Sequence, residues 1–183
     1  MSAFQNLRKK LHQRLLQHKL RQHRFPRQSV HFDKAHTIGI LFDGTDLNVR
    51  KVVLGFSKEL QKAGKQVKLL AYLDSRTESE SFPFKIFNRR NLDPFLRPRG
   101  DSVADFLDQT YDILLNLSME ENLPLEYIAA MSKAHYRVGA FSSTTHCYEL
   151  MIDLPASQRL PDLIKQIEFF LQKMQSTHEA ATV

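Results

Sequence analysis

"TIGILFDGTDLNVRKVVLGFSKELQKAGKQVKLLAYLD", residues 37–74, decides the fold. "TIGILF" (37–42) is a short, nearly all-apolar run, the pattern of a strand covered on both faces. From Asn48 onward Val49, Val52, Val53, Phe56 and Leu60 recur at helical spacing on one face, and Gly64 suits a helix C-terminus. "VKLLAYLD" (67–74) is a second buried run. Strand, helix and strand in this order predict a parallel pair joined by a right-handed crossover.

The pattern continues outward. "FKIF" (84–87), "YDILLNL" (111–117), "YRVGAF" (136–141) and "CYELMIDL" (147–154) read as further strands. Helices are expected over 103–109, capped by Asp101 or Ser102, over 123–134 with proline in the first turn, and over 160–174. Strands alternating with helices predict a three-layer, Rossmann-like or flavodoxin-like domain over 36–175 with a mostly parallel sheet. About five residues separate the last two strands, too few for a full crossover, so an antiparallel edge pair is expected there. A frayed tail is expected over 176–183.

A different composition precedes this domain. Residues 1–30 hold Arg8, Lys9, Lys10, Arg14, Lys19, Arg21, Arg24 and Arg27 and no Asp or Glu, a charge of +8. The other 153 residues carry 18 basic and 20 acidic side chains, which sum to −2. Phe4, Leu7, Leu11, Leu15, Leu16 and Leu20 form one apolar stripe, so residues 3–24 are expected to form a basic amphipathic helix, which Pro26 ends. Such an arm can bind RNA phosphate, lie on a membrane surface, or dock on a protein. The acid-free charge favours RNA or a ribonucleoprotein as the partner of residues 1–30.

The 183 residues are 42% hydrophobic and 25% charged, normal for a globular chain. No apolar run approaches the roughly 18 residues of a membrane span. The charged start is unlike a secretory signal, so a cytoplasmic location is expected. Cys147 is the only cysteine, which excludes an intrachain disulfide and a cysteine-based zinc site. The eight histidines show no metal-ligand spacing, and His12, His18, His23 and His31 lie in or beside the basic arm. No metal and no cofactor are expected. Cys147 and His146 are neighbours in an extended segment and point to opposite faces, so they make a poor nucleophilic pair. Glu120 and Glu121 offer paired acids, yet they also sit where acids favour the start of a helix. Arg89, Arg90, Arg97 and Arg99 form a second basic loop.

In folds of this class ligands sit beyond the C-terminal ends of the strands. Those ends hold Asp43, Gly44, Thr45 and Asp46, then Asp74, then Asn116 and Ser118, then Ser142 and Thr144. These are the candidate ligand-binding residues, for a small anionic, phosphorylated or nucleotide ligand. A structural reading stands beside this one: Asp43 and Asp46 cap the following helix and Gly44 supplies a turn with positive φ.

The turn resembles part of a haloacid-dehalogenase-type phosphatase motif, with Asp43 in the place of its second Asp. The nucleophile position is then Leu41, which cannot attack phosphorus, so this activity is excluded. The stretch 38–74 is similar to the opening of universal stress proteins, whose ATP-binding members hold the triphosphate on a later glycine-rich loop. The corresponding "RVGAFSSTTHC" has one glycine. No GxGxxG and no GxxxxGK[ST] occurs. Read together, "IGILFD", "VKLLAYLD", "FPFKIFNRRNLD", "YDILLNLSMEENLPLEYIAAMSKAHYRVG" and "CYELMID" resemble a family of uncharacterised bacterial proteins, chiefly from Bacteroidetes, labelled only as a domain of unknown function. That resemblance implies a bacterial cytosolic protein and carries over no catalytic residue. The expectation is a non-enzymatic binding module; the alternative is an enzyme or sensor with a ligand at the strand ends.

Overall fold

The computed structural model describes residues 3–22, 25–28, 30–76, 81–142, 147–155 and 157–179; side chains of 3–6 and 174–179 fall outside that description. The elements are α1 (Ala3–Gln22), β1 (Thr37–Asp43), α2 (Leu47–Lys62), β2 (Gln66–Leu73), β3 (Lys85–Asn88), α3 (Asp101–Asp108), β4 (Thr110–Asn116), α4 (Leu123–Met131), β5 (Lys133–Ala140), β6 (Leu150–Ile152) and α5 (Leu160–Glu179), with a single 3₁₀ turn at Arg89–Asn91. The six strands form one sheet in the order β3-β2-β1-β4-β5-β6. All five pairings are parallel.

The strand order places β1 at the centre, and alternation along it builds two cores. Ile38, Ile40 and Phe42 enter one core, with Val53, Phe56 and Leu60 of α2 and Leu163 and Ile167 of α5. Leu41 enters the other, with Val103 and Phe106 of α3 and Leu125, Ile128 and Ala129 of α4. Gly39 lies on this second face because α3 packs close there: a Cβ would stand 3.1 Å from the Phe106 ring and 2.8 Å from Leu114. The end of α2 shows why Gly64 is glycine. It takes φ 82, and the amides of Gly64 and Lys65 bond back to the carbonyls of Gln61 and Leu60, a Schellman closure.

The antiparallel edge pair is not present. β5 and β6 run parallel, with Val138 opposite Leu150 and Ala140 opposite Ile152. The expectation assumed a return along a whole strand. Because β6 starts opposite Val138, the connector climbs back only two residues, about 7 Å. Residues 147–149 belong to that connector and not to a strand. Tyr148 crosses Gly139, where a Cβ would come within 3.0 Å of the ring, and the Glu149 amide donates to the Arg137 carbonyl at 2.9 Å. Two smaller expectations also change. The N-cap of α3 is Gly100, at φ 106 and without a side-chain cap, and Asp101 is the first helical residue, where its carboxylate faces the helix dipole. Gly44 is not among the glycines with positive φ; it approaches β2 closely instead, and its Cβ position lies 3.1 Å from that of Ala71.

The N-terminal helix is docked. Leu16 is 3% exposed and joins the core beside α4, with Leu20 packed against it. His12 is buried against Tyr127 of α4, ring centroids 6.0 Å apart. Lys9 pairs with Glu121. Beyond the helix, Arg27 donates to the Ala134 carbonyl and lies 3.8 Å from Glu149. Leu16→Ala therefore removes a buried side chain from the main core. Urea unfolding of the variant is expected to show a loss of about 2–4 kcal/mol, against a few tenths for a leucine on a free arm.

Candidate functional site

The strand order reverses at β1: the chain leaves it toward β2 and β3 and returns on its other side through β4. This is the point at which open α/β sheets form a crevice beyond their carboxyl ends. Asp43 ends β1 there. One of its oxygens accepts from the Thr45 amide at 2.9 Å, and the other accepts from Asn122 Nδ2 at 3.1 Å. Asn122 in turn caps α4 by accepting from the Leu125 amide. Thr45 Oγ1 accepts from the Asp74 amide at 2.9 Å, which ties the β1 turn to the end of β2. Asp46 caps α2 by accepting from the Asn48 amide at 2.7 Å. The capping reading thus holds for Asp46, whereas Asp43 links β1 to the cap of the next helix on the other face.

A cleft of about 530 Å³ opens on the α1 and α4 side of this turn. It is lined by Asp43, Tyr72 and Asp74, by the apolar wall residues Leu92, Leu96, Leu123 and Pro124, and by the cations Arg8, Arg76 and Arg89. Its charges are unequally engaged. Arg89 meets Asp74 with two nitrogens, one at 2.7 Å, and Tyr72 donates to the same carboxylate at 3.1 Å. The Arg89 contact, with help from Tyr72, holds the Asp74 carboxyl below its usual range against the effect of burial. Burial and the neighbouring Asp74 push the Tyr72 hydroxyl up to about 12, so it stays protonated. Glu121 pairs with Lys9. Arg76, by contrast, is exposed and has no ion-pair partner among the described residues. Arg8 uses Nε on the Pro94 carbonyl at 2.6 Å and Nη2 on that of Asp93, and makes no ion pair there.

The wall that carries Leu96 is held by a buried carboxylate. Asp93 accepts from the amides of Phe95 and Arg97 at 2.9 and 3.0 Å, from Arg97 Nε at 2.7 Å and from Arg99 Nη2 at 2.9 Å. Burial pushes its pKa up, the bonds from Arg97 and Phe95 push it down, and the result lies below the usual range. His12 of α1 seals the same loop with Nδ1 2.7 Å from the Phe95 carbonyl, while its Nε2 is buried with no hydrogen-bond partner among the described residues; burial holds this imidazole below its normal pKa.

The expected site residues fall into neighbouring hollows rather than one. Asp43 and Asp74 line the cleft just described. Asp43, Thr45, Asp46 and Ser118 line a second hollow of about 420 Å³ on the α2 side. Asn116, Ser118 and Ser142 line a third, over β4 and β5, where Asn116 Nδ2 donates to Tyr148 at 2.7 Å. Gly44 lies beneath the turn, and Thr144 and His146 lie outside the described residues. Of the eight basic residues, Arg8, Lys9 and Arg27 turn inward to protein partners, Lys10, Arg14, Lys19 and Arg21 are exposed, and Arg24 lies outside the described residues. Arg76, Tyr72, Asn122 and the leucine wall were not read from the sequence. Only Arg76, three residues beyond the end of β2, carried a positional signal. Cys147 is buried, and burial pushes its thiol up to about 12, which removes it as a thiolate nucleophile at neutral pH. Among the described residues no three His, Cys, Asp or Glu side chains gather as a metal site, and no helix is long and apolar enough to cross a membrane.

The pKa of Asp93 gives a pH test of the wall. A depressed carboxyl pKa contributes stability that is fully present above the unfolded value of about 3.9 and is lost as pH falls through the lower folded value. Asp93→Asn is expected to unfold with about 1–3 kcal/mol less stability at pH 7. The gap between variant and wild type should narrow as urea midpoints are followed below pH 4.

Neither comparison with curated proteins nor comparison with solved structures gave a match. A family model matches residues 8–174, which include most of the basic helix, the whole sheet and every residue of the cleft. The chain therefore belongs to the family of unknown function DUF6913.

Proposed function

We propose that this protein binds a small ligand with an anionic group in the cleft beyond β1, β2 and β4, and that Arg76 and Arg8 hold that group. The observation that carries this reading is the imbalance of engaged charge. The carboxylates of the cleft are occupied by protein donors, Arg89 is paired with Asp74, and Arg76 lines the cleft with no counter-ion among the described residues. The cleft also lies at the reversal of strand order, where folds of this layout place their ligands; that support is an analogy of fold. The N-terminus of α2 is a weaker anion site here, because the Asp46 carboxylate already takes the Asn48 amide and sets a negative charge beside the others.

The test is a thermal-shift and calorimetry screen of the full chain with inorganic phosphate, tripolyphosphate and nucleoside phosphates. A ligand present at 100 times its dissociation constant is expected to add about 2.7 kcal/mol of stability. Arg76→Ala should weaken that ligand by about tenfold or more, the range of a lost charged hydrogen bond. No ligand in the screen, or equal affinity in the variant, contradicts the reading.

A second reading, RNA binding by the basic helix, rests on a separate observation. Lys10, Arg14 and Arg21 lie at i, i+4 and i+11, on one exposed face of α1, and none has an ion-pair partner among the described residues. Three phosphate contacts on single-stranded RNA give a log–log salt slope of about −2. Triple replacement Lys10→Glu, Arg14→Glu, Arg21→Glu should abolish binding and its salt dependence while leaving the unfolding midpoint near that of wild type. RNA binding unchanged by the replacement excludes this face.

A further inference from the structure

Leu96 is the only non-glycine residue among those described with positive φ, at 62°. A branched side chain adopts this left-handed conformation only when its surroundings impose it. They do so here from three directions. The Leu96 amide donates to the Asp93 carbonyl at 2.9 Å, the buried Asp93 carboxylate gathers the amides on either side, and Leu92 bridges Pro98. From outside, Arg8 and His12 of α1 hold the carbonyls of Pro94 and Phe95. Glycine or asparagine would fit this backbone without strain. Leucine instead places an apolar side chain in the cleft wall, beside Leu92 and with Leu123 and Pro124.

The cleft thus mixes two kinds of lining. Arg76 supplies a cation from the end of β2, Arg8 a second one beside the loop that carries Leu96, and Leu92, Leu96, Leu123 and Pro124 supply apolar surface. A ligand that is polar throughout, such as a sugar phosphate, would leave hydroxyls unpaired against those leucines. A ligand with an anionic end and a flat, weakly polar end matches both kinds of lining. The volume of about 530 Å³ lies within the range of such sites.

We infer that the cleft takes a nucleoside phosphate, with the base against Leu96, Leu92, Leu123 and Pro124 and the phosphates toward Arg76 and Arg8. This deepens the proposed anion site and rests on it. Leu96 is the specificity-determining residue, and its strained backbone is the means by which the loop presents it.

The experiment uses the full chain, with calorimetry for ADP, GDP, CDP, UDP and tripolyphosphate, and thermal midpoints without ligand. At least one of the diphosphates should bind wild type more tightly than tripolyphosphate does. Leu96→Asn is expected to leave the midpoint unchanged or raise it, because asparagine accepts the left-handed backbone. It should weaken the nucleoside diphosphate by about tenfold or more, the scale of a lost apolar pocket contact, and leave tripolyphosphate unaffected. Leu96→Met, which keeps an apolar side chain, should retain most of the affinity. A lowered midpoint in Leu96→Asn, or unchanged nucleotide affinity, overturns the role of Leu96. A wild-type chain that binds tripolyphosphate but none of the four diphosphates overturns the base-binding wall and leaves the anion site standing. A chain that binds neither overturns both.

Discussion

β1 must serve two cores and two neighbours at once. It is hydrogen-bonded to β2 on one side and to β4 on the other, and its residues from Ile38 to Phe42 are sealed above and below. A strand so enclosed can expose polar groups only at its ends. At the C-terminal end the chain has just parted in two directions, so no single helix covers the opening. Asp43 stands in that opening, and its two oxygens fasten the α2 turn on one side and the α4 cap on the other. The hollows on either side of it are consequences of this reversal, and Asp43 is the ridge between them.

The basic helix changes meaning once its contacts are known. A +8 segment suggests a freely available polycation. Yet Leu16 and Leu20 of its apolar stripe pack into the core beside α4, while Leu7 and Leu11 stay exposed, and that docking carries some of the charges with it. Arg8 and His12 reach the loop around Asp93, and Lys9 reaches Glu121. A helix outside the α/β unit therefore supplies part of the cleft rim and part of the clamp on the cleft wall. Truncating residues 1–30 would expose Leu16's neighbours and release that loop, so surface replacements separate the two readings where a deletion would confound them.

Most of the fold was legible because its signals are local. The six strands and the four helices of the α/β unit follow from apolar runs, helical spacing and terminal glycine or proline, and their boundaries move by only a few residues, apart from β6 and the longer α5. The direction of β6 was not legible. It depends on register, since Leu150 sits opposite Val138 and makes a short connector sufficient, and register is a property of the pair. Less of the cleft was legible, since of its lining only Asp43 and Asp74 were among the ligand-binding candidates. Asp43 and Asp74 are strand-end residues that a topology rule finds. Arg8 and Leu96 are brought there by contacts across 80 residues or more of chain, and no periodicity announces them. Leu96 even runs against local preference, since leucine is a poor residue for a left-handed turn. Such a conflict between local propensity and observed backbone is most informative near a cleft.

Together these features describe a sheet whose centre is closed and whose carboxyl end is open, with both cations and leucines lining the opening. The most direct measurement is amide chemical-shift mapping of the full chain during titration with the tightest-binding nucleoside phosphate. The account predicts shifts clustered at Gly44, Thr45, Asp74 to Arg76, Leu92, Leu96 and Asn122. Shifts confined to Lys10, Arg14 and Arg21 of α1, or to the groove around Asn116 and Ser142, would contradict it.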